Sequence, residues 1–197
     1  MGKVYTQASV SLDGYIVGPG GTGFEHLFAW CTAGDVETPT YQAERLTYRT
    51  NAATAAYLRD LLDGTGAVVI GRRLFDATNG WNGSHPLGKP VFVVTHEPPQ
   101  DWVDTDTSFT FVTDVVEAAV AKATAVAGDK HVGVGPGSTV GQAIRSGLIE
   151  ELRVDLVPLT LGDGVRMLDG LTDAPRTFGT PQVIEGIGVT HLTYQLS

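Results

Sequence analysis

The stretch His131-Val-Gly-Val-Gly-Pro-Gly-Ser-Thr-Val-Gly-Gln-Ala-Ile144 carries an apolar strand into three alternate glycines and on into a helical pattern. Gly133, Gly135 and Gly137 remove side chains where a ligand would press on the backbone, and the helix that follows would aim unpaired N–H groups at an anion. The spacing is G-x-G-x-G, not the G-x-G-x-x-G of the dinucleotide fingerprint. That fingerprint belongs in the first strand-to-helix turn, with an acidic residue about 20 positions on to hold a ribose. Here the loop comes in the fifth unit, and Asp155, at a suitable distance, falls inside an alternating strand. Two readings remain: a phosphate loop of a different α/β fold, or a tight turn.

Working outward, short apolar runs alternate with helical patterns, the sequence form of an α/β domain with a mostly parallel sheet. Strands are predicted at Val4 to Val10, Ala67 to Ile70, Val91 to Thr95, Phe109 to Val112 and His131 to Val134. The second, third and fifth are apolar enough to be buried on both faces. Asn51 to Asp63 reads as a helix stopped by Gly64, and Asp114 to Ala127 as another, with Asp114 and Glu117 in capping-box spacing. Thr139-x-x-Gln142 marks a third start, with Gly147 near its end.

The last third changes character. Leu152 to Val157 is a strand, Pro158 to Gly164 is turn-rich, and Thr180 to Ile184 with Val189 to Leu196 flank Glu185-Gly-Ile-Gly188 as an antiparallel hairpin. Residues 18 to 50 are the least regular, and a segment that long lines a site or an interface. The expected architecture is one domain over 1–197: three layers, a mixed, mostly parallel sheet with helices on both faces, and a C-terminal antiparallel hairpin.

Composition narrows the function. A formal charge of −9 disfavours non-specific attraction to nucleic acid or an anionic membrane, so a phosphate ligand needs a local basic cluster. Arg72-Arg73 is the tandem of that kind. The single cysteine, Cys31, excludes an internal disulfide and a Cys-rich zinc site, and no metal centre is expected. The N-terminal residues lack the apolar core of a signal peptide and no run approaches the ~18 apolar residues of a membrane span, so a cytoplasmic location is expected.

Three successive strand ends carry phosphate-compatible groups: Gly71-Arg72-Arg73, Thr95-His96 and the glycine loop. Ligands of open α/β sheets bind at that end of the strands. Taken alone, an Arg-Arg pair is more often a solvated surface pair.

With these motifs the chain resembles the dihydrofolate reductase superfamily, and within it the reductase domain of bacterial riboflavin biosynthesis. The resemblance rests on Val10-Ser-Leu-Asp13-Gly14, Gly71-Arg72-Arg73, Thr95-His96, Gly135-Pro136-Gly137-Ser138-Thr139-Val140 and Leu148-Ile-Glu-Glu-Leu-Arg-Val-Asp-Leu-Val-Pro158 with Leu161-Gly-Asp-Gly164. It implies a dihydrofolate reductase-like fold and an NADPH-dependent reduction of a small heterocycle. It also implies that Gly71, Arg72, Arg73, Thr95 and His96 surround the adenosine 2′-phosphate, while Gly135, Pro136, Gly137, Ser138, Thr139 and Val140 meet the pyrophosphate. A paired arginine suits a phosphate better than a ribose hydroxyl, which favours NADPH over NADH. Leu74 stands where the family often has a phosphate-binding Thr, and Pro136 where it usually has Gly.

On the substrate side, the resemblance makes Asp13 the candidate catalytic and binding carboxylate; a plain Asp-Gly turn is the competing reading. Trp30, Trp81 and Phe75 would wall a planar heterocycle or belong to the core. His85 is open to either role, and His131 reads as structural. Folate reduction is the alternative activity, with Glu44 or Asp60 offered as its carboxylate, and a non-catalytic nucleotide-binding protein is another. The resemblance and the apolar C-terminal hairpin point to a homodimer.

Overall fold

The structure, a computed structural model, describes residues 2–102, 107–171 and 175–196. It opens with β1 (Val4–Ser11), β2 (Tyr15–Val17), α1 (Phe24–Leu27), β3 (Val36–Pro39) and β4 (Thr47–Thr50). The centre runs α2 (Ala52–Gly64), β5 (Thr65–Gly71), α3 (Arg72–Ala77), β6 (Val91–Val94), β7 (Phe109–Val112), α4 (Val116–Ala127), β8 (His131–Val134) and α5 (Ser138–Arg145). The last part holds β9 (Glu151–Val157), β10 (Val165–Arg166), β11 (Gln182–Glu185) and β12 (Thr190–Gln195).

Eight strands form one sheet in the order β11-β12-β9-β1-β8-β5-β6-β7. From β9 to β7 all neighbours are parallel, and β12 pairs antiparallel with both β9 and β11. This is the mixed, mostly parallel sheet with a C-terminal antiparallel pair that the alternation of patterns predicts. The strand ends after β1, β8, β5 and β6 therefore lie side by side, though they are far apart in sequence.

Burial explains the layering. Along β5, Ala67 and Val69 join a cluster with Val120 and Ala123 of α4 and Ile144 of α5, while Val68 and Ile70 face Phe75 of α3 on the other side. The alternation of a strand thus feeds two cores, and each fully buried aliphatic side chain contributes about 1.5–3 kcal/mol. A third cluster, with Tyr5, Leu27, Trp30, Tyr57 and Leu58, packs α2 and the turn after α1 over β1 and β9.

That third cluster covers a polar stretch of sheet. Asp155 accepts hydrogen bonds from Gln7 Nε2 (2.7 Å) and Tyr57 Oη (3.2 Å) and pairs with His191 Nδ1 (2.7 Å), whose Nε2 meets Thr54 Oγ1 at 3.0 Å. Nearby, Glu151 accepts from Arg153 Nε (2.6 Å) and Lys3 Nζ (3.0 Å), and the Arg153 guanidinium lies 4.8 Å from the Tyr5 ring centroid. Asp155, His191, Glu151 and Arg153 are thus all partnered, which removes most of the cost of taking them out of water, whereas the nearby Thr6 hydroxyl is buried without a partner. Asp155 is committed to this network and faces no ribose.

Several local expectations are corrected. Gly64 does not stop α2 with a left-handed turn; it is the last helical residue, and the Thr65 hydroxyl caps the helix by donating to Leu61 O (2.7 Å) as the chain enters β5. The Asp114/Glu117 capping box does not form. Val115 is the N-cap, Asp114 accepts from the Val115 N–H (2.8 Å) and Glu117 accepts from the Ser146 hydroxyl, because α4 begins one position too late for Asp114 to reach its first turn. The region read as irregular contains α1 and the β3–β4 hairpin, and β2 pairs with β10 outside the main sheet. These segments are too short for periodicity to show them.

Candidate active site

The glycine loop bridges three elements. The Gly135 N–H donates to Val69 O of β5 (2.7 Å) and the Gly137 N–H to Met167 O (2.8 Å), so neither is free for a ligand. Gly137, with φ +88°, is the N-cap of α5, a conformation that side chains disfavour. The amides that the helix leaves without an intrahelical carbonyl partner are those of its first turn, Ser138, Thr139 and Val140. A Cβ at Gly71 would lie 2.4 Å from Thr139 Oγ1, so only glycine lets the end of β5 approach the start of α5 this closely. Leu74 packs under the loop, 3.5 Å from where a Gly135 side chain would begin, giving an apolar contact where the family often has a hydroxyl.

The two arginines diverge. Arg72 donates from Nε to Asp76 Oδ1 (2.6 Å) and from Nη1 to Glu97 O (2.7 Å). The Thr95 hydroxyl donates to the same Glu97 carbonyl (2.8 Å). The Gly-Arg-Arg and Thr-His motifs therefore bind each other: Arg72 and Thr95 shape the loop after β6, and His96 is exposed beside it. Arg73 is exposed and lines a cleft of about 290 Å³ together with Tyr15, Asp163, Gly164, Val165, Arg166 and Asp169.

Asp13 sits at the rim of the same region, in the turn leaving β1. Its Oδ1 accepts from the Ser11 hydroxyl (2.6 Å) and the Leu161 N–H (3.1 Å), and its Oδ2 from the Gly162 N–H (2.7 Å). The Ser11 hydrogen bond, with those from Gly162 and Leu161, outweighs partial desolvation and lowers its pKa to about 2. Ser11-Leu-Asp13-Gly14 and Leu161-Gly-Asp-Gly164 are thus two halves of one clamp. Gly164, φ +136°, completes it: a Cβ there would meet Val17 O at 2.0 Å.

Across this clamp lies a second, apolar cleft of about 330 Å³ whose walls include Trp30, Pro158, Leu159, Ile187 and Gly188. Trp30 is buried, donates from Nε1 to Ser9 Oγ (3.0 Å) and meets the His191 ring edge-on at 5.4 Å. Cys31 next to it is inert: burial, reinforced by the Asp155 charge, pushes its thiol up to about 12.

Of the residues expected at the site, Gly71, Arg72, Arg73, Thr95, His96, Gly135 to Val140 and Asp13 all fall at the ends of four adjacent strands. Trp30 is set apart from them, in the wall of the apolar cleft, which none of those residues lines. Trp81 joins neither group: it lies beyond α3 in a left-handed turn (φ +46°), edge-on to His85 at 4.5 Å, and borders neither cleft. Phe75 is 2% exposed, centred among Trp102, Phe109 and Phe111, and belongs to the core. His85 accepts from the Leu87 N–H (3.2 Å), with its pKa pushed down to about 4 by burial, and His131 accepts from the Lys3 N–H (2.9 Å). Glu44 and Asp60 are exposed and line neither cleft. Sequence reasoning missed Tyr15, Arg166 and Asp169; the two-residue β10 that carries Arg166 leaves no periodic signal.

The family model for the RibD C-terminal domain matches residues 2–179, and the chain belongs to that family. The fold is the dihydrofolate reductase-like α/β fold. A putative riboflavin biosynthesis protein from Shewanella sp. PV-4 superposes with a TM-score of 0.67 at 22% identity, over 98% of each chain. A diaminohydroxyphosphoribosylaminopyrimidine deaminase/5-amino-6-(5-phosphoribosylamino)uracil reductase from Thermotoga maritima gives 0.62 at 11% identity, over 98% of this chain and 56% of that one. A pyrimidine reductase-like protein from Corynebacterium diphtheriae gives 0.61 at 12% identity, over 98% and 91%. No curated protein matches the sequence. Among the described residues no helix is long and apolar enough to cross a membrane, and no group of three or more His, Cys, Asp or Glu is arranged to hold a metal ion.

Proposed function

We propose that this chain is an NADPH-dependent reductase of a small heterocyclic substrate, of the pyrimidine type named in its structural neighbours. The observation that carries the reading is the meeting of Gly71–Arg73, Thr95–His96, the glycine loop and Asp13 along four adjacent parallel strand ends. Family membership supports a reductase.

The residues present fit the cofactor. The first-turn amides of α5, Ser138, Thr139 and Val140, and the exposed guanidinium of Arg73 suit phosphate groups, and His96 stands beside the loop that Arg72 and Thr95 hold in shape. NADPH, when bound, supplies the hydride. Asp13 is a positioning residue: as a carboxylate held ionised at neutral pH it donates no proton, and it fixes the 161–162 turn between the two clefts. The apolar cleft whose walls include Trp30 offers an apolar surface to a planar ring placed there.

Oxidation of NADPH by the pure protein, followed by absorbance with 5-amino-6-(5-phosphoribosylamino)uracil as acceptor, tests the reading. Turnover with NADPH supports it; no turnover with this compound or other pyrimidines, despite NADPH binding, leaves a binding protein in its place. The same proposal includes a cytoplasmic homodimer. The row Val183, Leu192, Val154 and Ala8 across β11, β12, β9 and β1 is half-buried or exposed on one sheet face, and such an apolar row is suited to a second copy. Light scattering at the mass of two chains supports this, and the mass of one chain removes it.

A further inference from the structure

We propose that Asn82, in the turn after α3, is a site of spontaneous amide-to-acid conversion, and that Asn79 is the positioning residue that activates it. The inference is independent of the reductase reading and of both clefts.

The turn holds two Asn-Gly dipeptides, Asn79-Gly80 and Asn82-Gly83, and both asparagines are exposed to water. A glycine in second place lets its amide nitrogen reach the asparagine Cγ, because no side chain restricts the peptide between them. That nitrogen bonds to Cγ, its proton goes to the side-chain nitrogen, and ammonia leaves behind a cyclic imide. Water then adds to one of the two imide carbonyls. Opening at one gives aspartate; opening at the other gives isoaspartate, in which the main chain runs through the former side chain. Water is the co-reactant, and no oxidant or reductant takes part. Asn79, Trp81 and Asn82 are the described non-glycine residues with positive φ, +47°, +46° and +56°. A left-handed conformation costs an L-residue roughly 1–2 kcal/mol, so rotation out of it is favoured wherever packing permits.

Packing separates the two dipeptides. Gly80 is buried, and a Cβ there would lie 2.8 Å from Trp102 and 2.9 Å from Phe75, so its peptide is wedged against the core beside α3. At Gly83, φ +103°, nothing but the chain neighbours lies within 4 Å of the same position. The Asn82–Gly83 peptide is free to turn towards the side chain, and the Asn79–Gly80 peptide is not. The amides differ as well: Asn79 Nδ2 donates to Asn82 Oδ1 (3.0 Å), which draws electron density from the Asn82 Cγ and makes it the better electrophile. The product has a structural consequence. Isoaspartate adds a methylene to the main chain between residues 82 and 83, while Trp81 O accepts from Arg45 Nη1 (2.9 Å) and Ser84 O from Gln42 Nε2 (3.0 Å). These two anchors to the β3–β4 turn bracket the altered bond, and the lengthened chain slackens one of them.

Ageing the full folded chain in mildly alkaline buffer, followed by peptide mass spectrometry and enzymatic labelling of isoaspartate, tests the site. Conversion is expected at Asn82 with Asn79 left intact, whereas in urea-unfolded chain both dipeptides convert at similar rates. Asn79→Gly keeps the left-handed backbone and removes the hydrogen bond. It should slow conversion of Asn82 about fivefold in the folded protein and leave the rate in urea unchanged. A merely structural role for Asn79 would loosen the turn and speed the reaction instead. Conversion of Asn79 as fast as Asn82 in the folded chain, an Asn82 that stays intact while the unfolded chain converts, or an Asn82 rate that Asn79→Gly raises or leaves unchanged overturns the proposal.

Discussion

The two clefts on either side of the Asp13 clamp are built by opposite means. The charged one is made of Arg73, at the start of α3, and of Tyr15 and residues 163–166 around the Gly164 turn, where backbone geometry is decided within a few residues. The apolar one is made of Trp30 and residues 157–159 and 187–188, which meet only because the turn after α1, the end of β9 and the turn joining β11 to β12 come together in the fold. Binding chemistry in the first is local and written in motifs; shape in the second is a product of packing.

The largest effect is expected from removing the packing that defines the apolar cleft. Trp30→Ala deletes a buried indole and orphans the Ser9 hydrogen bond, and should cost roughly 3–5 kcal/mol of stability in urea unfolding. A loss under about 1 kcal/mol would mean that Trp30 is not part of the core that shapes the cleft. Asp13→Ala releases the 161–162 turn, which joins residues 157–159 of the apolar cleft to residues 163–166 of the charged one, and should lower kcat/KM about 100-fold through misplacement alone. A change confined to KM would contradict a positioning role.

Separating the arginines sharpens the charged side. Arg73→Ala should weaken NADPH about tenfold with little change in Tm, whereas Arg72→Ala should lower Tm and weaken NADPH less, since Arg72 already serves Asp76 and Glu97. Equal effects in binding titrations would refute the division. The smallest effect is that of pH on stability. Asp13 and Glu151 are both lowered to about 2: Asp13 by the Ser11 hydrogen bond first, Glu151 because hydrogen bonds from Gln195 and Arg153 overcome its burial. Folded values below the ordinary 3.8 and 4.5 mean that their contribution is complete above about pH 4.5 and is lost as pH falls towards 2. Urea unfolding at neutral pH and at about pH 3 should show the decline.

The same contrast accounts for what the sequence discloses. β5, β6 and β8 are legible because strands buried on both faces are continuous apolar runs, and Gly71 and Gly137 because the backbone there tolerates no side chain. The partition of Arg72 from Arg73 is not legible, since it depends on which way two adjacent residues of a short helix point. Trp81 and Trp30 look alike in sequence, and only the path of the chain puts one at a cleft and the other beyond α3. The clamp lies between these cases: both of its motifs are visible, but their hydrogen bonds join residues 148 and 149 positions apart.

The measurement that bears most directly on the account is a pair of titrations of the wild-type protein with NADPH and with NADH. The loops around Arg72, Arg73 and His96 predict binding of NADPH at least tenfold tighter than NADH. Equal affinity, or binding of neither, would contradict the assignment of these strand ends to a phosphorylated nicotinamide cofactor.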